Sequence, residues 1–257
     1  MIKAVFFDID GTLVPFGQEA VDLSVLEALD RVRAKGVKVF ISSGRPIYFI
    51  KNLRDYSFDG YVCCNGGVVF VDGQVVFSKP MDPDDVRSVV EVSEAGGVGC
   101  YAFAAESRML NFRSELSDSL GECLHIGEPP VGDLFEFIRR PVYQFTVYAT
   151  EQMEREMYAP AVKHSIFPRW HPRFMDVTPD DVSKADGIAR VAGLFGWNMD
   201  ELMAFGDGGN DIPMLQAVGA GVAMGNAEAS VKEHAAYVTA DVRDGGIVKA
   251  LRHFGLV

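Results

Sequence analysis

At 257 residues, 48% of them apolar, the chain has room for one large domain or for a core domain carrying a smaller one. A formal net charge of −12 argues against nucleic acid or an anionic membrane as the main partner, because the mean field repels polyanions, but it admits a small anion wherever local cations invert that field. The four cysteines (Cys63, Cys64, Cys100, Cys123) lack metal-site spacing, no apolar run is long enough to span a bilayer, and Met1-Ile2-Lys3 leads straight into a strand, so a cytoplasmic protein without a signal peptide is expected.

The first predicted strand, Val5-Phe6-Phe7, is apolar on both faces, as a central strand of a parallel sheet would be. It runs into Asp8-Ile9-Asp10-Gly11-Thr12, where two carboxylates at i and i+2 share one face of an extended backbone and Gly11 allows a tight turn. Acids this close repel unless a cation sits between them, which points to a hard dication such as Mg²⁺ and the phosphate it accompanies. Taken alone, the pattern also fits a solvated turn; an EF-hand loop is excluded by the offset of the glycine. Val21, Val25, Leu29 and Val32 then recur at helical spacing up to Gly36, and Val37 to Ile41 is a second apolar strand. That strand–helix–strand unit is the kind that builds parallel sheets. It ends in Ser42-Ser43-Gly44-Arg45-Pro46, which has the small hydroxyls and the glycine of a phosphate-cradling loop. Tyr61 to Cys64 makes a third strand ending in Asn65-Gly66-Gly67, and the runs on either side of Asp72-Gly73 make a hairpin.

Near residue 80 the texture changes. Asp82-Pro83-Asp84-Asp85 opens a helix with an N-cap acid, a first-turn proline and further acids on the dipole. Short helices and strands then alternate to about Val182, the clearest strands being Val98 to Ala104, Val142 to Ala149 and Phe174 to Val177, with a loop at Gly127-Glu128-Pro129-Pro130. This reads as an inserted α+β module. The parallel-sheet texture resumes with a helix opened by Ser183-Lys184 and closed by Gly196. Leu202 to Phe205 is an apolar strand running into Gly206-Asp207-Gly208-Gly209-Asn210-Asp211, followed by a helix to Val218, short strands at Gly221 to Met224 and Tyr237 to Thr239, and a last helix from Gly246.

Asp8, Asp10, Ser43, Gly44, Lys184, Asp207, Asn210 and Asp211 thus all fall at predicted strand or helix ends of one parallel sheet. In this pattern the chain resembles the haloacid dehalogenase superfamily of phosphatases, in particular its Cof-type, sugar-phosphatase-like subfamily. Asp-x-Asp-Gly-Thr at Asp8 to Thr12, Ser-Gly-Arg-Pro at Ser43 to Pro46, the lysine at Lys184 and Gly-Asp-x-x-Asn-Asp at Gly206 to Asp211 match its four motifs. Met224-Gly225-Asn226-Ala227 is similar to a further signature of the family. Two positions depart from the pattern: Ser43 stands where Thr is frequent, and Ala185 follows the lysine where Gly is frequent; Ser42 is a second candidate for the hydroxyl.

The resemblance implies an α/β fold, with a Rossmann-like parallel-sheet core over 1–81 and 183–257 and an inserted α+β cap over 82–182 that sets substrate specificity. It implies a catalytic set of Asp8 as nucleophile, Asp10 as acid and base, and Ser43 and Lys184 as holders of the phosphoryl oxygens. Ser43, Gly44, Arg45, Lys184 and Asn210 would bind substrate. Mg²⁺ would be held by Asp8, Asp10 (through its backbone carbonyl) and Asp207, with Asp211 orienting ligands or pairing with Lys184. The partner implied is a small phosphorylated metabolite, a hexose or pentose phosphate first, with nucleotides, pyridoxal phosphate and phosphoglycolate as alternatives; a monomer or weak homodimer is expected. Arg169, Trp170, His171 and Arg173 form a basic and aromatic cluster that could contact a sugar or simply line a strand edge. Of the rivals, a P-type ATPase is excluded by Asp10 and the lack of spans, a phosphomutase would keep both aspartates, and a non-catalytic phosphate sensor would be expected to lose one.

Overall fold

The computed structural model describes residues 1–117, 128–169 and 172–257. The described chain divides into two compact units, one formed by Met1–Arg45, Ile50–Ser78 and Ser183–Val257, the other by Pro46–Phe49 and Lys79–Val182. No described helix is long and apolar enough to cross a membrane.

The first unit is built on an eight-stranded sheet in the order β13-β12-β11-β1-β2-β3-β4-β5. The strands are β1 (Ala4–Phe7), β2 (Lys38–Ser42), β3 (Gly60–Cys63), β4 (Val68–Val71), β5 (Gln74–Ser78), β11 (Leu202–Gly206), β12 (Ala220–Ala223) and β13 (Tyr237–Val238). All neighbours are parallel except β3 with β4 and β4 with β5, the hairpin around Asp72-Gly73. The apolar runs are continuous because both faces are covered, and alternate residues feed different cores. Val5, Phe7, Val39, Ile41, Met203 and Phe205 pack with the helices Leu23–Ala34 and Gly246–His253 on one face. Phe6, Phe40, Leu202 and Ala204 pack with Lys184–Phe195 and Ile212–Ala217 on the other. Each fully buried phenylalanine here contributes about 1.5–3 kcal/mol relative to exposure. Phe7 pairs with Ile41 on one side and Phe205 on the other, so β1, β2 and β11 stop nearly level and the residues after them share one sheet edge.

The helix Lys184–Phe195 is capped as its sequence demands: Ser183 accepts from the Asp186 amide, and Gly196 closes it at φ +68°. Gly187 is required by packing, since a Cβ there would fall 2.3 Å from Val62 Cγ1. This close approach seats the helix on β3.

The second unit carries a five-stranded antiparallel sheet in the order β7-β6-β8-β10-β9, of β6 (Cys100–Phe103), β7 (Arg108–Leu110), β8 (Gln144–Val147), β9 (Ser165–Ile166) and β10 (Met175–Pro179). The strands expected over Val98–Ala104 and Val142–Ala149 are thus shorter than their apolar runs, because the ladder extends only where a neighbour runs alongside. Val86, Val89 and Val90 of the helix Pro83–Gly96, with Tyr158, pack on the face that presents Phe145 and Val147. The other face presents Tyr101, Phe103, Gln144, Thr146 and Asp176, cross-strand neighbours by register. Asp85, expected to serve the helix dipole, does more. It is 2% exposed and accepts from the amides of Lys163 and His164 and the hydroxyl of Ser165, pinning β9 to the start of the helix.

Candidate active site

Where β1, β11 and the helix Lys184–Phe195 meet, their terminal side chains converge. Lys184 is 1% exposed, and its ammonium donates to Asp8 Oδ1 and to Asp211 Oδ1, both at 2.6 Å. Burial works against the lysine charge, yet the carboxylates of Asp211 and Asp8 outweigh it and hold the pKa above the usual lysine value. Asp211 is fully engaged, because its Oδ2 also accepts from the amides of Asp207 and Gly208 at 2.9 Å each. Gly206 makes room for this arrangement, since a Cβ there would lie 2.5 Å from the Asp211 side chain.

Asp207 is held by two residues to which the sequence assigned no role. The Thr12 hydroxyl donates to its Oδ1 at 2.9 Å, and Asn226 Nδ2 donates to its Oδ2 at 3.2 Å while also binding the Gly11 carbonyl at 2.8 Å. Asn226 Oδ1 accepts from the Val242 amide, which fixes the ring of contacts. Gly11, at φ +83°, is obligatory twice over: a Cβ would meet Asp207 Oδ2 at 2.1 Å. Thr12 and Asn226 were visible as letters of the first motif and of the Met224-Gly225-Asn226-Ala227 signature.

Carboxylate oxygens of Asp8, Asp207 and Asp211 lie within 4.8 Å of one another. Burial pushes the Asp8 carboxyl well above its ordinary range against the pull of Lys184, and Asp211, Asp10 and Asp207 add their repulsion. Asp207 is pushed up to about 6, by burial first and by Asp211 next, with the Thr12 hydrogen bond opposing. One lysine cannot neutralise three such acids. The donor set, hard carboxylate oxygens with excess negative charge, therefore suits a hard dication. Asp8 and Asp207 are the carboxylates available to hold it.

Asp10 stands apart from this cluster. Both its oxygens accept from the guanidinium of Arg45, Nε to Oδ2 and Nη2 to Oδ1, each at 2.7 Å. The metal role implied for Asp10 by the sequence is through its backbone carbonyl, and the Arg45 pairing occupies only the carboxylate. Ser43 is buried at the end of β2; its Oγ accepts from the Arg45 amide at 3.1 Å, leaving the hydroxyl hydrogen for another acceptor. Ser42 is the last residue of β2 itself, wholly buried, and its hydroxyl has no partner among the described residues. Asn210 donates to Asn65 Oδ1 at 3.0 Å, and the Asn65 amide lies 3.2 Å from where a Cβ on Gly44 would be.

The basic cluster of the second unit is not a set of free side chains. Arg169 reaches Glu154 Oε2 at 2.7 Å and the carbonyls of Ala149, Pro172 and Phe174, so it ties segments of that unit together. The sequence leaves it between a sugar contact and a strand-edge side chain. Trp170 and His171 lie outside the described residues.

Residues 5–251 match the family profile of haloacid dehalogenase-like hydrolases. The chain is 31% identical to YkrA of Bacillus subtilis (strain 168), a protein provisionally named a phosphatase, over 99% of this chain and 98% of that one. It is 28% identical to YcsE of the same organism, a 5-amino-6-(5-phospho-D-ribitylamino)uracil phosphatase, over 99% and 96% of the two chains. Among solved structures, a subclass IIB sugar phosphatase of the haloacid dehalogenase superfamily superposes with a TM-score of 0.92 at 38% identity, covering 99% of this chain and 100% of the other.

Proposed function

The chain belongs to the haloacid dehalogenase-like hydrolases and is a phosphatase, and from that premise we propose that it hydrolyses sugar phosphates through a phosphorylated Asp8 with Mg²⁺ as cofactor. The observation that carries the reading is the buried Lys184 bridge between Asp8 and Asp211 beside the raised carboxyls of Asp8 and Asp207. Asp8 must be ionised to attack phosphorus, and Lys184 supplies only part of the charge that this requires. Asp8, Asp207 and the Asp10 carbonyl would hold the Mg²⁺, which would supply the remaining positive charge and neutralise the phosphoryl oxygens.

In this scheme an Asp8 oxygen forms the new P–O bond as the bond from phosphorus to the sugar oxygen breaks. Two of the three Lys184 hydrogens are engaged, and the third is directed to a phosphoryl oxygen with the Ser43 hydroxyl and the Gly44 amide. Asp10 gives its proton to the departing sugar oxygen, then takes one from the water that cleaves the acyl phosphate and frees inorganic phosphate. The Arg45 fork donates once to each Asp10 oxygen and so orients the carboxyl that acts as acid and base, each oxygen keeping a further lone pair for the proton. The sequence also assigns Arg45 to substrate binding.

Residues 82–182 are assigned to the sugar. Support comes from the sheet face that carries Tyr101 and Gln144, whose buried hydroxyl and Oε1 have no partner among the described residues, next to the Thr146–Asp176 hydrogen bond of 2.6 Å. Buried polar atoms of this kind suit a hydroxyl-rich ligand. The test is a turnover panel of phosphorylated metabolites. Hexose and pentose phosphates should lead it with Mg²⁺, lose turnover in excess chelator and regain it on Mg²⁺ addition, while Ca²⁺ restores little. Full activity in chelator would refute the metal site. Turnover led by 5-amino-6-(5-phospho-D-ribitylamino)uracil would move the substrate to the class named for YcsE.

A further inference from the structure

The turn that follows β3 holds three successive residues in the left-handed region: Cys64 at φ +50°, Asn65 at +53° and Gly66 at +102°. Side chains rarely adopt this conformation, and asparagine tolerates it better than most. Here the turn is fixed from three directions. The Asn65 amide nitrogen of the main chain donates to the Ser43 carbonyl at 3.1 Å. Gly66 lies so close to the start of the helix that bears Lys184 that a Cβ would fall 2.0 Å from the Ser183 carbonyl oxygen. Asn210 Nδ2, from the loop after β11, donates to Asn65 Oδ1 at 3.0 Å.

The Asn65 side chain is 9% exposed and lies against Gly44, yet its Nδ2 donates to no acceptor among the described residues. An amide donor taken up by no protein acceptor among the described residues, and held beside Gly44 by a left-handed turn, is an arrangement with a use. We propose that Asn65 is a phosphate-binding residue of this site, its Nδ2 donating to an oxygen of the transferred phosphoryl group beside Ser43 and Gly44, with Asn210 holding the amide in that orientation. This rests on the phosphatase reading above and adds to it a residue outside the four motifs. A neutral donor suits the position, because it gains a charge-assisted hydrogen bond without adding charge next to Lys184.

Two variants and one probe test it: inorganic phosphate in Mg²⁺ buffer, with its affinity read by calorimetry and by product inhibition of nitrophenyl phosphate hydrolysis. Asn65→Gly removes the donor but relieves the left-handed strain, so its melting temperature should hold or rise. Its phosphate affinity should fall by about tenfold or more, as expected for a lost hydrogen bond to a charged group. Asn65→Asp keeps the shape and places an anion against the phosphate, so its affinity should fall further. A folded Gly variant that binds phosphate as the parent does would overturn the assignment. So would a lower melting temperature with unchanged affinity, which would make Asn65 a turn former alone. A parent protein that takes up no phosphate would sink the phosphatase site itself, whereas a binding parent with unaffected variants sinks only the role of Asn65.

Discussion

Replacing Asp207 by Asn reports directly on why the site calls for a cation. In the metal-free protein the Asp207 carboxyl sits at about 6, against an ordinary 3.8, chiefly because burial disfavours its charge. A gap of about two pH units at 1.36 kcal/mol each corresponds to about 3 kcal/mol, and solvent at its partly exposed edge trims this toward 2. The sign follows from linkage. A carboxyl whose pKa is raised on folding gives a contribution that is fully present below about pH 4 and lost as the pH climbs through 6. The parent in chelator should therefore lose about 2–3 kcal/mol between pH 4 and pH 7 relative to Asp207→Asn, which cannot titrate. Asn keeps an oxygen for the Thr12 hydroxyl but turns an NH₂ toward Asn226, a cost that is the same at every pH and drops out of the comparison. Urea unfolding followed by circular dichroism at four pH values measures the difference. Mg²⁺ at pH 7 should stabilise the parent and leave the variant unmoved. A stability difference that is flat across pH 4–7 would refute the argument that Asp207 is a buried charge awaiting a cation.

Two further predictions address the chemistry and the scaffold. Asp10→Asn should accumulate phosphate mass on the peptide that contains Asp8 when supplied with nitrophenyl phosphate, because a good leaving group needs no proton while water attack loses about 10²–10⁴-fold of general-base help; phosphate found on any other residue by mass spectrometry would end the covalent scheme. Gly187→Ala should lower the melting temperature by several degrees, since its Cβ would lie 2.3 Å from Val62 Cγ1 and 3.1 Å from the Gly66 Cα, an overpacking worth about 1–3 kcal/mol; an unchanged melting curve would mean the helix is not seated on β3 in this way.

What could be read from the sequence divides along a physical line. In a parallel sheet the strands start and stop together, so an apolar run followed by an acid places that acid on a common edge whatever the loops do. Val5–Phe7 before Asp8, Val37–Ile41 before Ser43 and Leu202–Phe205 before Asp207 were legible for that reason, and the Phe7–Ile41 and Phe7–Phe205 register shows the edge they share. Short pieces carry no such signal. Arg108–Leu110 is three residues without alternation and Ser165–Ile166 is two; they become strands only because β6 and β10 offer them backbone partners. Side-chain direction is harder still. Arg45 reads as a cation beside a phosphate loop, but 35 positions upstream Asp10 offers a carboxylate of matching geometry, and two charge-assisted bonds decide where the guanidinium points. Arg169 reads as one more cation in a basic cluster, until Glu154 and three carbonyls turn it back on its own unit.

Asn65 shows the same limit from the other side. Asn-Gly-Gly after a strand is turn chemistry to any local reading, and the turn is there, left-handed as its residues allow. Nothing within that turn says that its amide will meet Asn210, 145 positions away, or stand against Gly44. Both contacts follow from topology: β3 lies next to β2 in the sheet, and Gly187 lets the helix that starts at Lys184 settle against the end of β3. A strand order that joins the loop after β2, the turn after β3 and the start of that helix necessarily brings their polar tips to one place. Residues that look local in the sequence acquire their chemistry from that convergence, and a side chain such as Asn65, with one end fixed and the other a bare donor, is where the convergence is worth testing first.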